Sequence, residues 1–390
     1  AVIVAVVPPI IWGGLFSLWF YKALTLLVIA CPCALVISTP VTVVSGLAAA
    51  AKNGILIKGG TYLEQGHRLK AIALDKTGTL TEGKPIVTKL IPLNRQTNEN
   101  VLQLAASLDD HSEHPIAQAI VKEWQKQQPT NSLLEITDFK ALPGRGVTGL
   151  INGVRYFVGN HQLAEDNQVC NQEIETQLKT LEQAGQTTII LSDSKHVLAI
   201  FAVADTLRPT SQLAIEALHQ QGIKTCMLTG DNATTAKAIA NQVGIDEIRA
   251  NVLPADNVYA IDELIKRYGV VGMVGDGIND APALAKATIG FAMGKGTDIA
   301  LETADVALMN DNLAKLPQFI SLSRKTARVL FQNISLSIVI KIIFFGLALA
   351  GLATLWMAVF ADMGASLIVV ANGLRLLNSH KGHSVPSQKY

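Results

Sequence analysis

Apolar residues gather at the two ends of the chain, and polar residues fill its middle. Four apolar runs, about 1–20, 23–51, 333–350 and 352–374, each approach the ~20 residues that a helix needs to cross a bilayer. The first run contains Pro8-Pro9 and Gly13-Gly14. The two pairs of runs flank a polar stretch from Lys52 to Arg328. Lys52, Lys58, Arg68 and Lys70 follow the second run; Arg324, Lys325 and Arg328 precede the third; Arg375 and Lys381 follow the fourth. The short loops inside the pairs hold only Lys22 and no charge, respectively. By the positive-inside rule, the pattern predicts four transmembrane helices and a large cytoplasmic middle.

Inside the middle the period changes. Short apolar runs at 71–74, 224–228, 270–274 and 288–293 read as strands, and 232–243 reads as a helix. That alternation predicts a doubly wound parallel sheet. Residues 84–204 interrupt it with a helix at 101–127 and strand-like pieces at 146–151, 154–159, 188–191 and 197–203, an α+β insertion. The expected domains are therefore membrane helices at 1–51 and 326–375, an α/β domain at 52–83 with 205–325, the insert at 84–204, and a polar tail at 376–390.

Composition agrees with a membrane protein: 49% of the 390 residues are apolar and only 16% charged, against about 25% charged in soluble domains. A net charge of +1 implies no bulk attraction to nucleic acid. Four cysteines, two inside an apolar run and two scattered, make no disulfide framework. The chain opens on an apolar Ala1 without a basic flank, unlike a signal peptide, and reads as an excerpt that starts inside a helix.

Chemistry concentrates at the strand ends. Asp75 follows the run 71–74 and precedes Lys76-Thr77-Gly78-Thr79-Leu80-Thr81. A carboxylate there is well placed to accept a phosphoryl group. A strand running into a glycine turn accounts for Gly78 alone. Transfer from ATP needs Mg²⁺ and positioned donors as well. Asp276, in Gly275-Asp276-Gly277-Ile278-Asn279-Asp280, is the best magnesium partner for Asp75, because hard cations take carboxylate oxygens. Asn279 and Asp280 would support that ion from behind. Thr229 and Gly230 would donate to phosphate oxygens, and Asp231 would order the site. Asp205 and Arg208 add an acid and a cation after another strand.

The membrane runs carry their own candidates. In Cys31-Pro32-Cys33 the proline removes a helix hydrogen bond and leaves two soft ligands beside the break, suited to Zn²⁺, Cd²⁺, Pb²⁺ or Cu⁺. Lys341 shares a helix face with Ser337 and Asn333, and Asp362 with Ser366 lies in the last run. Charges at such depth are costly and usually functional. Asp362 and Lys341 would pair when the site is empty. A divalent cation would take Asp362 and both thiolates, and Lys341 would then serve as a built-in counter-ion.

The string DKTGTLT at residues 75–81 is the phosphorylation motif of P-type ATPases, and the chain resembles that family there. With the later strand-end motifs, it resembles the haloacid-dehalogenase-like core those ATPases share. The resemblance implies Asp75 as the phosphorylated residue with Lys76 beside it, and Asp75, Thr77 and Asp276 around Mg²⁺. Ser112-Glu113-His114-Pro115, with Gly144, Gly146, Gly159 and Asn160, resembles the nucleotide-binding domain of the heavy-metal branch. It implies that Glu113 and His114 lie at the nucleotide, His114 on adenine, with Asp109 in place of the family's longer Glu. CPC, Lys341 and the Asp362-Met363-Gly364 string resemble the zinc/cadmium/lead group; the Asn-Tyr and Met/Ser patterns of the copper group are not found.

Two departures qualify the resemblance. The family's LPxDK string here ends in Asn257, which brings no charge and implies slower phosphorylation; Lys266 stands more than two turns away. No Thr-Gly-Glu string of an actuator domain occurs in the chain. The implied protein is an ATP-driven exporter of Zn²⁺, Cd²⁺ or Pb²⁺ in the cell membrane, working with ATP, Mg²⁺, the bilayer and an upstream part that carries the actuator and further helices. A Cu⁺ pump, a membrane-anchored phosphatase of the same core fold, and a non-catalytic metal-binding protein remain as alternatives.

Overall fold

The structure, a computed structural model, describes residues 2–12, 15–253 and 256–378. Gly13-Gly14, Pro254-Ala255 and the expected polar tail beyond Asn378, with Lys381, lie outside the described residues. The chain divides into two units, one made of residues up to Arg68 and from Lys315 onward, the other of Leu69–Ala314.

The first unit holds helices Val2–Trp12, Phe16–Ala30 and Cys33–Lys52, strand β1 (Ile55–Ile57), a short helix Gly60–Gln65, and helices Lys315–Leu349 and Leu355–Leu374. Among the described residues, three stretches are long and apolar enough to cross a membrane: Phe16–Lys52, Lys315–Leu349 and Leu355–Asn378. The four expected spans are thus corrected to three. Val2–Trp12, with 11 residues, rises about 16 Å, half a bilayer core. The expected break at Tyr21-Lys22 falls inside a helix: the Lys22 ammonium sits 4.7 Å over the Trp19 ring, so its charge does not interrupt the helix. The described helices instead end at Trp12 and begin again at Phe16. The helix carrying the third apolar run also begins earlier than expected, at Lys315.

Close packing in this unit rests on small residues. A Cβ on Gly46 would press on Leu63 at 2.7 Å and on the Thr326 hydroxyl at 3.0 Å. Ser323 donates to the Leu63 carbonyl at 2.5 Å. Outward-facing Ile342, Leu349, Phe360 and Leu367 are exposed, a surface that suits lipid rather than water.

The second unit contains two sheets. Its strands are β2 (Ala71–Asp75), β3 (Ile86–Pro92), β4 (Thr137–Leu142), β5 (Gly146–Ile151), β6 (Val154–Gly159), β7 (Thr187–Asp193), β8 (Val197–Ala204), β9 (Lys224–Leu228), β10 (Glu247–Arg249), β11 (Val271–Gly275), β12 (Ile289–Met293) and β13 (Val306–Leu308). Six are parallel, in the order β13-β12-β11-β2-β9-β10. Residues Ala71–Leu74 of β2 are all buried, as a parallel strand covered on both faces requires. The insertion is an antiparallel sheet, β3-β8-β7-β6-β5-β4. β8 therefore belongs to the insert, and Asp205 follows a strand of that sheet rather than of the parallel one.

The crossings into and out of the insert are tied together: Glu82 N–H donates to the Thr206 carbonyl at 2.8 Å and Arg208 N–H to the Leu80 carbonyl at 3.0 Å. The single helix expected over 101–127 is two, Asn98–Asp109 and Pro115–Gln127. Proline fits a helix only in its first turn, so Pro115 starts a new helix instead of continuing the old one.

Candidate active site and membrane metal site

β2 lies between β11 and β9, with Leu74 opposite Val274 and Asp75 opposite Leu228. This register brings the three strand-end loops of Asp75, Thr229–Asp231 and Gly275–Asp280 to one carboxyl edge, where open α/β sheets hold ligands. The carboxylates of Asp75, Asp276 and Asp280 converge with ligand oxygens within 4.8 Å of one another. Asp280, expected to support the ion from behind, has its Oδ2 accepting from the amides of Asp276 (3.2 Å) and Gly277 (3.0 Å), which braces the Asp276 turn. Asn279 is exposed.

Burial, then Asp280 and Asp276, push Asp75 well above the usual carboxylate range. Burial, then Asp280, raises Asp276 to about 6. Burial also raises Asp280, against the two amides that favour its ionised form. Three carboxyls forced towards protonation mark a place for a hard divalent cation, so the residues fit Mg²⁺.

The turn after Asp75 explains Gly78 beyond a simple strand-to-turn ending. Its φ is +76°, open to glycine, and a Cβ there would run into the Asp276 carboxylate. Thr77, half-buried in the same turn, has extended backbone angles. Lys76 Nζ pairs with Asp231 Oδ2 at 2.6 Å, and the other Asp231 oxygen accepts from Thr187 at 3.2 Å. The Asp231 amide donates to the Thr229 hydroxyl at 3.2 Å; Gly230, between them, is exposed.

Arg208 donates to the carbonyls of Gly78 (2.6 Å) and Thr79 (3.1 Å). Asp205 accepts from the Thr81 hydroxyl (2.5 Å) and the amides of Gly83 (3.1 Å) and Lys84 (3.0 Å). Both side chains hold the backbone of the motif. Thr81 and Gly83 were not foreseen as participants. Asn257 is buried at the start of helix Asn257–Tyr268.

In the insert, His114 caps helix Pro115–Gln127, with Nδ1 accepting from Ile116 N–H at 3.3 Å. An accepting Nδ1 leaves the proton on Nε2, assigned from this bond, and the ring is exposed, as is Glu113. Asp109 is buried, and its Oδ2 has no partner within the protein. Burial pushes its carboxyl up to about 7. Gly144 has φ +70° and Gly146 +149°. Gly146 pairs with Gly159 across β5 and β6, and a Cβ on Gly146 would strike the Val158 carbonyl and one on Gly159 the Arg145 carbonyl. These two glycines serve strand approach. Asn160 locks the loop: its amide nitrogen donates to the Gly144 carbonyl at 2.9 Å and its Oδ1 accepts from Leu163 N–H at 3.0 Å.

In the other unit, helix Phe16–Ala30 stops before Cys31-Pro32 and a new helix starts at Cys33. The two sulfurs lie 2.6 Å apart. Lys341 Nζ donates to the Ile29 carbonyl at 3.0 Å and to the Cys31 carbonyl, groups freed by the break, and lies 3.3 Å from Asp362 Oδ1. Ile29, Ala34, Ser337, Lys341, Ala361 and Asp362 line a small cavity here. Ser337 donates to the Asn333 carbonyl at 2.8 Å. Buried Asn333 bonds Thr42 at 3.3 Å and Asn372 at 2.8 Å.

Residues 69–288 match the family model of haloacid dehalogenase-like hydrolases. The chain is 48% identical over 97% of its length to a probable cadmium-transporting ATPase of Alkalihalophilus pseudofirmus, of which it covers 53%. It is 46% identical over 97% of its length to a zinc/cadmium/lead-transporting P-type ATPase of Escherichia coli, of which it covers 50%. A crystal structure of a zinc-transporting ATPase in a phosphate-bound state superposes with a TM-score of 0.74 at 45% identity, over 96% of this chain and 61% of that one. The chain spans about half the length of these curated relatives.

Proposed function

Because the chain belongs to the haloacid dehalogenase-like hydrolases and, within them, to the heavy-metal P-type ATPases, we propose that it is the carboxyl-terminal part of a pump that uses ATP to move Zn²⁺, Cd²⁺ or Pb²⁺ across a cell membrane. The meeting of the Asp75, Asp276 and Asp280 carboxylates at neighbouring strand ends carries this reading. Asp75 attacks the terminal phosphorus of ATP, the bond to the bridging oxygen breaks, and ADP leaves. Asp75 and Asp276 would hold Mg²⁺, with Thr77 and Asp280 beside them; bound there, the ion offsets the repulsion between these carboxylates and the incoming phosphate. Thr229 and Gly230 meet phosphoryl oxygens. Lys76 and Asp231 hold each other in place, and Arg208 fixes the turn through the Gly78 and Thr79 carbonyls.

The nucleotide base lies against exposed His114, whose Nε2–H is free to donate, while Asp109, buried with an unpartnered oxygen, stands behind that helix start. Glu113, Gly144, Gly146, Gly159 and Asn160 frame that pocket, which stands in the cytoplasm with the rest of the middle region. The cargo takes the Cys31 and Cys33 thiolates and the Asp362 carboxylate. Lys341, already 3.3 Å from that acid, is displaced on loading and re-pairs on release. The actuator domain and further helices, carried by the rest of the pump, would remove the phosphate and complete transport. Metal-stimulated ATP hydrolysis by the whole pump tests the reading: Zn²⁺, Cd²⁺ and Pb²⁺ accelerate hydrolysis, and acceleration by Cu⁺ alone overturns the choice of cargo.

A further inference from the structure

A second cluster of metal-ligand types lies in the insert, on elements that phosphoryl transfer does not use. His161, Cys170 and Glu175 each offer a ligand atom, and these atoms all lie within 4.8 Å of one another. The three are half-buried. His161 opens helix His161–Asp166, which Asn160 caps. Glu175 sits in the first turn of helix Gln172–Gln183, capped by Asn171 through a bond to Ile174 N–H at 2.9 Å. Cys170 lies on the linker between them, beside the buried Ala164, Val169, Ile174 and Leu178, and is a free thiol. His161 Nε2 is 2.7 Å from Glu175 Oε1 and 3.8 Å from Glu165.

An imidazole, a thiol and a carboxylate on two capped helices and their linker form a mixed nitrogen, sulfur and oxygen set. That set suits a borderline-to-soft divalent ion and leaves a tetrahedral ion one open position. It is the wrong set for Mg²⁺ or Ca²⁺, which take oxygen alone.

We propose that His161, Cys170 and Glu175 form a Zn²⁺- or Cd²⁺-binding site in the inserted domain, separate from the membrane site. On binding, the Cys170 thiol loses its proton to solvent, and the hydrogen bond between His161 and Glu175 is replaced by two metal bonds. The open position makes the site exchangeable, as a sensor of free metal needs. Its place gives it a route to the nucleotide: His161 directly follows Asn160, whose side chain bonds the Gly144 carbonyl at 2.9 Å and whose backbone N–H donates to the Arg145 carbonyl at 2.9 Å. A metal that fixes His161 shifts the equilibrium of that loop, so metal and ATP affinities change reciprocally.

The test uses the full chain with Cys31→Ser and Cys33→Ser, so that membrane thiolates contribute nothing. Titration with Cd²⁺ then gives one equivalent of an ultraviolet thiolate-to-cadmium charge-transfer band. Cys170→Ser removes it with circular dichroism unchanged, Cys226→Ser leaves it, and His161→Ala lowers Cd²⁺ affinity by roughly tenfold or more. No band in the Cys31/Cys33 background, or a band that survives Cys170→Ser, overturns the site. ATP affinity in the same background shifts on adding Zn²⁺, and the shift disappears with Cys170→Ser; an affinity that Zn²⁺ leaves unchanged overturns the coupling.

Discussion

At Asp75 three carboxylates converge and, among the described residues, none of them forms a salt bridge; at Asp362 a single carboxylate faces the ammonium of Lys341 at 3.3 Å. The ammonium nearest the first group in sequence, Lys76, is committed to Asp231. The first cluster is an acid-rich pocket short of positive charge, and its carboxyls are driven towards protonation. The second carries its own neutralising charge, which also satisfies the carbonyls exposed by the Cys31-Pro32 break. An uncompensated set retains a cation, whereas a self-compensated one gives a cation up readily, since release restores an internal pair. The difference matches the roles proposed for them, a resident Mg²⁺ at Asp75 and a passing metal at Asp362.

Removing a charge from each cluster sharpens the contrast. Asp276→Asn takes away a proposed ligand, and phosphoenzyme formed from ATP at millimolar Mg²⁺ falls about 100-fold, the scale of losing a preorganised electrostatic partner. Recovery of full labelling on raising Mg²⁺ slightly would break the assignment. Lys341→Met acts in the opposite sense: it leaves Asp362 unpaired, so Zn²⁺ binds at least about tenfold tighter while metal-stimulated turnover slows, because an isolated buried acid costs a few kcal/mol. Weaker Zn²⁺ binding in this variant would remove Lys341 as a counter-ion.

Asp109 provides an acid with neither a cation site nor a counter-charge. Its carboxyl keeps its proton up to about pH 7 in the folded chain, against about 3.9 when unfolded. Between those values the unfolded chain has released a proton that the folded one retains, so folding stability falls as pH rises from 4 to 7 and then levels. Asp109→Asn flattens that slope and adds at most about 4 kcal/mol at pH 8. Urea midpoints at pH 5 and 8 read the change, and an unaltered slope contradicts it.

The active edge was legible because its signals are local. An apolar run such as Ala71–Leu74 ending in an acid announces a buried parallel strand and its loop, and β9 keeps its expected limits, Lys224–Leu228. Edge and short strands were not legible: the edge strands β3 and β4 are partly exposed and mix polar with apolar positions, while β10 and β13 have only 3 residues each. The membrane count failed because apolar length alone does not say where a helix breaks, and Lys22 is tolerated where Cys31-Pro32 is not. The bracing of the Asp276 turn by Asp280 was legible from their spacing, whereas the constraint on Gly78 was not, because Asp276 comes from 198 residues away. The cluster of His161, Cys170 and Glu175 has no motif spacing at all; only the fold of two helices and their linker assembles it.

The claim on which the rest depends is that Asp75 accepts the phosphoryl group with a cation among its neighbours. Labelling the full chain with γ-³²P-ATP, with and without Mg²⁺, tests it. An acid-stable, hydroxylamine-sensitive label that requires Mg²⁺ and is lost in Asp75→Asn is the predicted result; a label that persists in Asp75→Asn, or none in the unaltered chain with Mg²⁺ present, would contradict it.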